Sequence, residues 1–132
     1  MKYCLIWLFV FATGCASTPN GLQSDPEALR VFNVSEPYQL IFKRLVENHQ
    51  ECSHTPLLPL GQSIFETNNY PDLRLATIVL GASGVGTQIY LSIEISEVSS
   101  NESKIKMWTK IRTDKKANQV KRIAEGGIGC DL

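Results

Sequence analysis

The amino-acid sequence predicts an α+β fold, a two-layer sandwich in which two helices cover one face of an antiparallel sheet of four to five strands. Three observations predict it. Apolar and polar residues alternate along several short stretches, two other stretches repeat apolar residues every three or four positions, and turn-forming runs join successive strands. Placing both helices on one sheet face buries both patterns and leaves the other face exposed. The expected element order is β-α-β-β-β-β-α.

The first predicted elements are a strand over residues 29–34 and a helix that ends near Cys52. Ser35 is expected to cap this helix, and Pro37 fits its first turn. One stripe of the helix carries residues at helical spacing, namely Tyr38, Ile41, Phe42, Leu45, His49 and Cys52. The spacing therefore predicts that this stripe packs on the sheet.

Further strands are predicted at residues 63–67, 73–80, 88–98 and 104–113. The stretch 88–98 alternates most clearly, and its inward residues are expected to be Ile89, Leu91, Ile93 and Ile95. In the last strand the inward residues are expected to be Ile105, Met107 and Ile111, and the outward ones Lys106, Trp108, Lys110 and Arg112. Asp114 is expected to cap a final helix, and Gly126 is expected to stop it.

Residues 81–86, with the sequence GASGVG, join two of these strands. A phosphate-binding loop of this kind needs a helix directly after it, whose N-terminus faces the anion. A strand is predicted here instead, and no lysine stands where a P-loop requires one. The run therefore favours a glycine-rich hairpin loop.

The charge balance limits the classes of partner. Thirteen Lys and Arg residues match thirteen Asp and Glu residues, and the sequence pI is about 6.7. Hydrophobic residues make up 43% of the chain, which is typical of a folded domain. This composition excludes a strongly basic nucleic-acid-binding protein and a highly charged disordered chain. No nucleic-acid partner is therefore expected.

The first fourteen residues have the features of a signal peptide. Lys2 supplies a positive charge, and nine apolar residues follow at positions 4–12. A membrane-spanning helix needs roughly 20 apolar residues, so this run is too short to span a bilayer. A buried N-terminal strand or helix is the competing interpretation. The sequence favours a leader over residues 1–14 that is removed on export.

The run Ala12-Thr13-Gly14-Cys15 resembles the lipobox of bacterial lipoproteins. The resemblance implies cleavage before Cys15, a diacylglycerol on its thiol and an acyl chain, such as palmitate, on its new amine. It also implies, through Ala16, sorting to the periplasmic face of the outer membrane in a Gram-negative cell. Two or three acyl chains anchor a protein stably. The run also fits an ordinary A-x-A-like cleavage site, so secretion without lipid is the alternative.

Three segments are therefore expected: a signal peptide over residues 1–14, a lipidated Cys15 with a flexible tether over residues 15–28, and a single α+β domain over residues 29–132. The element order resembles that of the helix-grip-like domains of some outer-membrane assembly lipoproteins. No sequence motif accompanies this likeness, so it implies a fold and carries no function.

The four cysteines are Cys4, Cys15, Cys52 and Cys130. Removal of the leader takes away Cys4, and a lipid on Cys15 leaves two cysteines, an even number that can pair. If the two helices lie side by side, Cys52 and Cys130 can meet, and export favours their oxidation. A Cys52–Cys130 disulfide is therefore predicted.

A metal site is the alternative use of Cys52. His49, Cys52 and His54 form the pattern H-x-x-C-x-H, whose side chains are ligands that zinc accepts. No fourth ligand is evident nearby, and His49 falls on the apolar stripe. The sequence thus favours a packed or partly exposed histidine, and no metal or cofactor is expected.

A binding surface is predicted where Trp108 lies within a basic row formed by Lys106, Lys110 and Arg112. An exposed tryptophan is a common centre of an interface, and the expected partners are an envelope protein, an anionic envelope polymer or lipid head groups. The alternative is a solvated face on which Glu94 pairs with a lysine of the next strand.

No catalytic arrangement is expected, because the chain has two histidines close together and no G-x-S-x-G nucleophile motif. The sequence therefore predicts a non-catalytic, lipid-anchored envelope protein with a binding or accessory role. The alternative is a secreted soluble domain, without lipid, that binds a small ligand between helices and sheet.

Overall fold

The structure, a computed structural model, describes residues 18–53 and 61–130. These residues form an antiparallel sheet with the strand order β1-β5-β4-β3-β2. The strands are β1 (Leu29–Val34), β2 (Gln62–Tyr70), β3 (Leu75–Gly84), β4 (Gly86–Ser99) and β5 (Glu102–Trp108), and the helices are α1 (Pro19–Gln23), α2 (Tyr38–Cys52) and α3 (Thr113–Ala124). The predicted α+β fold is confirmed. The predicted signal peptide, Cys15 and His54 lie outside the described residues.

Helices α2 and α3 lie side by side on one face of the sheet, as expected. Their apolar stripes and the inward side chains of the strands form one core, in which most side chains are at most 2% exposed. Members of this core include Ile41, Leu45, Ile93, Ile95, Ile105, Met107, Val120 and Ile123. Burial of each such side chain contributes about 1.5–3 kcal/mol, so this face supplies most of the stabilisation.

The helix α2 ends at Cys52 as predicted, but it begins at Tyr38, and Pro37, which was predicted in the first turn, directly precedes it. The predicted cap at Ser35 is wrong. The cap position is occupied by Pro37, which has an extended backbone. No side chain donates or accepts a capping hydrogen bond there. A capping side chain belongs to the residue directly before the helix, and Ser35 lies two positions before that residue.

A β-bulge between Leu80 and Gly81 changes the orientation of Ile89. Leu80 pairs with Leu91, whereas Gly81 pairs with Ile89, so Tyr90 is the extra residue on β4. One extra residue turns all preceding side chains to the opposite face. Ile89 therefore packs on the face opposite to α2 and α3, in contrast to the prediction that it shares a face with Leu91.

The close approach of β4 to β3 at this bulge requires a glycine. A Cβ atom on Gly81 would lie 2.6 Å from the carbonyl oxygen of Gln88 and 2.8 Å from Cδ1 of Ile89. Strand β3 ends at Gly84 and strand β4 begins at Gly86, so the predicted glycine-rich loop is a hairpin whose turn contains Val85. The strands are longer than predicted because alanine, serine and glycine still form the ladder hydrogen bonds.

Strand β5 ends at Trp108, five residues earlier than predicted. The next residue, Thr109, donates its hydroxyl to the carbonyl oxygen of Tyr90 at 2.8 Å and its N–H to the carbonyl oxygen of Ala28 at 3.0 Å. The chain then leaves the sheet, and Ile111, predicted to be buried, is 55% exposed. Arg112 adopts the left-handed conformation directly before α3.

The second face, which is the sheet face opposite to α2 and α3, is half covered. The N-terminal segment, Pro19–Ala28, forms α1 and a short 3-10 turn that lie across it. Leu22 and Ala28 are only 1% and 2% exposed in the cluster they form there. The prediction of a flexible tether is therefore wrong for this segment, which is part of the folded domain.

Candidate functional site

Trp108 was predicted to be the exposed centre of a binding surface, and the structure corrects this. Its side chain does point to the second face, as the alternation predicts, but it is only 8% exposed. Leu22, Ala28, Val79 and Ile89 pack around it in a second apolar cluster. Trp108 is consequently a core residue and presents no surface to a partner.

The N-terminal segment is what covers Trp108. Gln23 Nε2 donates to Ser92 Oγ at 3.2 Å, on the strand beside β5, and this contact fixes the end of α1 over the sheet. Asp25 then accepts a bond from the Nζ of Lys110 at 3.1 Å. The segment was predicted to be a tether because it is polar and contains proline, glycine and serine. The one sequence feature that could have indicated a folded segment is the apolar side chain of Leu22.

Lys106 lies on the open half of the second face and pairs with Glu94. The two residues are opposite each other in the β4–β5 register, and Lys106 Nζ is 3.0 Å from Glu94 Oε1. This is the cross-strand pair that the alternative interpretation predicted. Lys106 is thus part of a solvated, charge-neutral face rather than of a basic row.

Lys110 and Arg112 lie beyond the end of β5 and do not continue the row of Lys106. The ammonium of Lys110 donates a hydrogen bond to the Asp25 carboxylate, and the backbone N–H of Glu27 donates a second one. The two hydrogen bonds lower the pKa of the Asp25 carboxyl below its ordinary value. Arg112 is exposed at the start of α3. The four predicted residues therefore occupy three different environments.

A different basic surface forms beside Arg112. We call it the basic hollow: a shallow depression of about 330 Å³ lined by Ile111, Arg112, Lys115, Lys116 and Gln119. Only Arg112 of this set was predicted to bind a partner. The available signal was charge clustering, because residues 110–122 contain six Lys or Arg residues and one acidic residue, Asp114.

The predicted disulfide between Cys52 and Cys130 is present. Cys52 is the last residue of α2, and Cys130 follows α3 after a turn that begins at Gly126, which has a positive φ of 92° and ends the helix as predicted. Asn48 Nδ2 donates to the carbonyl oxygen of Gly129 at 2.6 Å next to the bridge. The C-terminal segment is thereby fastened to the end of α2.

The disulfide removes the thiolate that the alternative metal site would need. His49 stacks on Phe65 of β2, with ring centroids 4.1 Å apart, and its Nε2 lies 3.2 Å from Ser53 Oγ. Burial lowers the pKa of the His49 imidazole below its ordinary value. Over residues 18–53 and 61–130, no three potential ligand side chains come close enough to hold a metal ion. His49 acts as a packing residue.

Arg44 connects the two helices behind the disulfide. Its NH1 atom donates to Glu36 at 3.1 Å and to the carbonyl oxygen of Ala124 at 2.7 Å, at the end of α3. The carbonyl groups of a last helical turn have no partner within the helix, so this guanidinium satisfies one of them. The arrangement is structural, and it fixes α3, and with it the basic hollow, relative to α2.

Cys15, the predicted lipidation site, lies outside the described residues. The described chain begins at Thr18, three residues later, and the Thr18 side chain accepts from the N–H of Gly21 as the cap of α1. None of the helices in the described part of the chain has the length and apolarity that a membrane crossing requires. Comparison of the chain with protein-family models and with curated proteins found no match.

Proposed function

We propose that the chain is a lipid-anchored, non-catalytic protein of the bacterial cell envelope, attached through Cys15, whose α+β domain has a binding or accessory role at the membrane. The observation that carries this proposal is the use of the cysteines. The structure pairs Cys52 with Cys130, which leaves Cys4, in the predicted leader, and Cys15, in the lipobox-like run. Lipid on Cys15 gives every cysteine of the processed chain a chemical role.

The short distance between Cys15 and the fold supports a role close to the membrane. Two residues, Ala16 and Ser17, lie between Cys15 and Thr18, and an extended chain spans at most ~3.6 Å per residue step, so the three steps of the link reach about 10 Å. The flexible tether expected from the sequence would have allowed a span several times longer. With the N-terminal segment folded, the proposed anchor holds the domain directly against the bilayer surface.

The alternative, a secreted domain that binds a small ligand between helices and sheet, finds less support. Such a site needs a cavity between the two layers. The side chains that face each other there are packed into one core, and Ile41, Ile95 and Met107 have no exposed surface. A ligand would have to displace this packing, at a cost of several kcal/mol.

The anchor is tested by analysis of the mature N-terminus in three chains: the unchanged chain, Cys15→Ser and the matched control Cys4→Ser. We expect mass spectrometry to find a diacylglyceryl, acylated Cys15 in the unchanged chain and in the control, and an unprocessed leader in Cys15→Ser. In a detergent cloud-point separation the first two should enter the detergent phase. An unmodified mature N-terminus together with complete recovery in the aqueous phase would overturn the proposal.

The predicted outer-membrane location has a test of its own. The lipobox resemblance implies that Ala16, after the anchored cysteine, directs sorting to the outer membrane. Density-gradient separation of membranes should find the unchanged chain with the outer membrane and Ala16→Asp with the inner membrane. Equal distribution of both chains would contradict the sorting role of Ala16 without affecting the anchor itself.

A further inference from the structure

The basic hollow has the composition of a site for an anionic group. Arg112, Lys115 and Lys116 supply three cationic side chains, Gln119 adds an uncharged amide, and Ile111 adds an apolar side chain. No carboxylate of residues 18–53 or 61–130 lines the hollow. Its volume of about 330 Å³ is at the lower end of the range for small-molecule sites, which suits a phosphate-bearing head group rather than a large ligand.

Positive charge is concentrated around this hollow although the chain as a whole is neutral. Six of the thirteen basic residues lie within residues 110–122 with a single acidic residue, Asp114. Asp114 is itself held by Arg30, whose Nε is 2.7 Å away. Within residues 18–53 and 61–130, no carboxylate forms an ion pair with Arg112 or Lys115. Arg112 and Lys115 therefore present positive charge that no described carboxylate neutralises, whereas Lys110 and Lys121 pair with Asp25 and Glu125.

Ile111 distinguishes this surface from an ordinary solvated face. It is 55% exposed, and it stands between the cationic neighbours Lys110 and Arg112. An apolar side chain surrounded by cations suits the boundary between lipid head groups and acyl chains, because the side chain enters the boundary while the cations meet the phosphates. Insertion of an exposed apolar side chain is a feature of lipid boundaries, so the pattern favours a lipid surface over a soluble anionic polymer.

Two residues next to the hollow in sequence contact the first part of the described chain. Lys110 is bonded to Asp25 at 3.1 Å, and Asp114, in the first turn of α3, is bonded to Arg30. Both partners belong to the first part of the described chain, and Asp25 is ten residues after Cys15. A lipid on Cys15 would therefore hold this side of the domain near the bilayer.

We infer that the basic hollow binds the anionic head groups of membrane phospholipids, and that it orients the domain with the start of α3 against the bilayer. This inference rests on the proposed attachment through Cys15, which keeps the hollow at the surface. The head-group phosphate would contact Arg112 and Lys115, and Ile111 would enter the lipid boundary. The open half of the second face and the β2 edge would remain available to other partners.

The test measures the acetylation rate of individual lysines in the full chain in the presence of vesicles at millimolar lipid concentration. One set of vesicles contains phosphatidylcholine alone, and the other also contains phosphatidylglycerol. We expect acetylation of Lys115 to be about fivefold slower on the anionic vesicles, which corresponds to about 1 kcal/mol of surface attraction per basic residue. Lys43, on the exposed side of α2, is the internal control, and its rate should be equal on both vesicles.

Two matched variants place a carboxylate inside or outside the hollow. Gln119→Glu adds a negative charge to the lining, and we expect it to abolish the protection of Lys115. Gln50→Glu makes the same change at an exposed position of α2 and should leave the protection unchanged. Because Gln119 lies at the surface of the hollow and contributes nothing to the apolar core, circular dichroism should show both variants folded.

The outcomes separate the hollow from the anchor. Equal acetylation rates of Lys115 on the two kinds of vesicle would overturn the inference. Protection of Lys115 by a soluble anionic polysaccharide, without protection by vesicles, would also overturn it and would assign the hollow to a polymer. Failure of the chain to associate with neutral vesicles, together with protection on anionic ones, would refute the Cys15 anchor and still support lipid binding by the hollow.

Discussion

Replacement of Leu22 by alanine tests whether the N-terminal segment is part of the folded domain. Leu22 is 1% exposed and packs in the cluster that contains Trp108. The change removes three carbon atoms, each worth about 0.8 kcal/mol of transfer free energy, and the packed neighbours can fill only part of the space. We expect the free energy of unfolding to fall by about 2.5–3 kcal/mol, which lowers Tm by about 10 °C in a domain of this size.

The assay combines thermal unfolding with acrylamide quenching of tryptophan fluorescence. The sequence contains two tryptophans, so both chains should carry Trp7→Phe to leave Trp108 as the only reporter. In the folded reference chain Trp108 should be poorly accessible to acrylamide, because it is 8% exposed. In Leu22→Ala the quenching should increase at temperatures well below Tm, since a loosened α1 uncovers the ring.

Leu73→Ala is the matched control for this experiment. Leu73 is 70% exposed, so its removal should change the free energy of unfolding by less than about 0.5 kcal/mol. If Leu22→Ala unfolded at the same temperature as the reference chain, or if Trp108 were already fully accessible in the reference chain, the N-terminal segment would be a tether after all. The short-link argument for the position of the membrane would then fail as well.

Three further changes probe the disulfide, the packed histidine and the bulge. Cys130→Ser should lower the free energy of unfolding by about 2–4 kcal/mol, since the bridge closes a loop with a sequence separation of 78. Reactive thiols mapped to Cys52 and Cys130 in the unreduced, denatured parent chain would contradict the bridge. Burial lowers the pKa of His49, so the imidazole binds a proton less readily in the folded chain than in the unfolded chain. The contribution of His49 to stability should therefore be constant above about pH 6.5 and should fall as the pH drops below that value. His49→Gln should remove this slope in Tm measured between pH 8 and pH 5, and an unchanged slope would assign it to other groups. Gly81→Ala should lower the free energy of unfolding by about 1–3 kcal/mol, because its Cβ would lie 2.6 Å from the Gln88 carbonyl oxygen. The control Gly61→Ala would make only a 3.4 Å contact and should be nearly neutral. Equal losses of stability in the two variants would argue against the bulge.

Local patterns predicted the elements whose side chains face one uniform environment. Helix α2 was placed correctly because its apolar residues repeat at helical spacing and Pro37 fixes its start. The alternation of Leu91, Ile93 and Ile95 correctly gave the inward face of β4. The predicted proximity of the two helices also led to the Cys52–Cys130 bridge. For the helix and the strand, a short sequence window contains the pattern that the packing uses.

The errors on Ile89 and Trp108 arise from contacts that a pattern within one strand does not contain. The bulge that turns Ile89 to the second face arises from the pairing of β3 with β4, and alternation within β4 alone gives no sign of it. Trp108 looked exposed because its neighbours in sequence are basic. It is buried because Leu22, eighty-six residues earlier, covers it.

The candidate site shows the same division. Charge clustering in residues 110–122 was visible in the sequence, yet the predicted row mixed Lys106, which pairs with Glu94, with Arg112, which lies outside the sheet. Alternation assumes a strand, and the strand ends at Trp108. Only the fold, by turning the chain into α3, brings Ile111, Lys115 and Gln119 together around one hollow.

The sequence by itself determined the fold class, the amphipathic helices and the cysteine pair, because hydrophobic periodicity and cysteine number are local or compositional properties. It also contains the predicted leader and the lipobox-like run on which the proposed membrane attachment rests. Tertiary structure alone decided that the N-terminal segment is folded, that Trp108 is buried and that the basic surface lies at the start of α3. These outcomes depend on which distant side chains exclude water from one another, and that is fixed only when the whole chain packs.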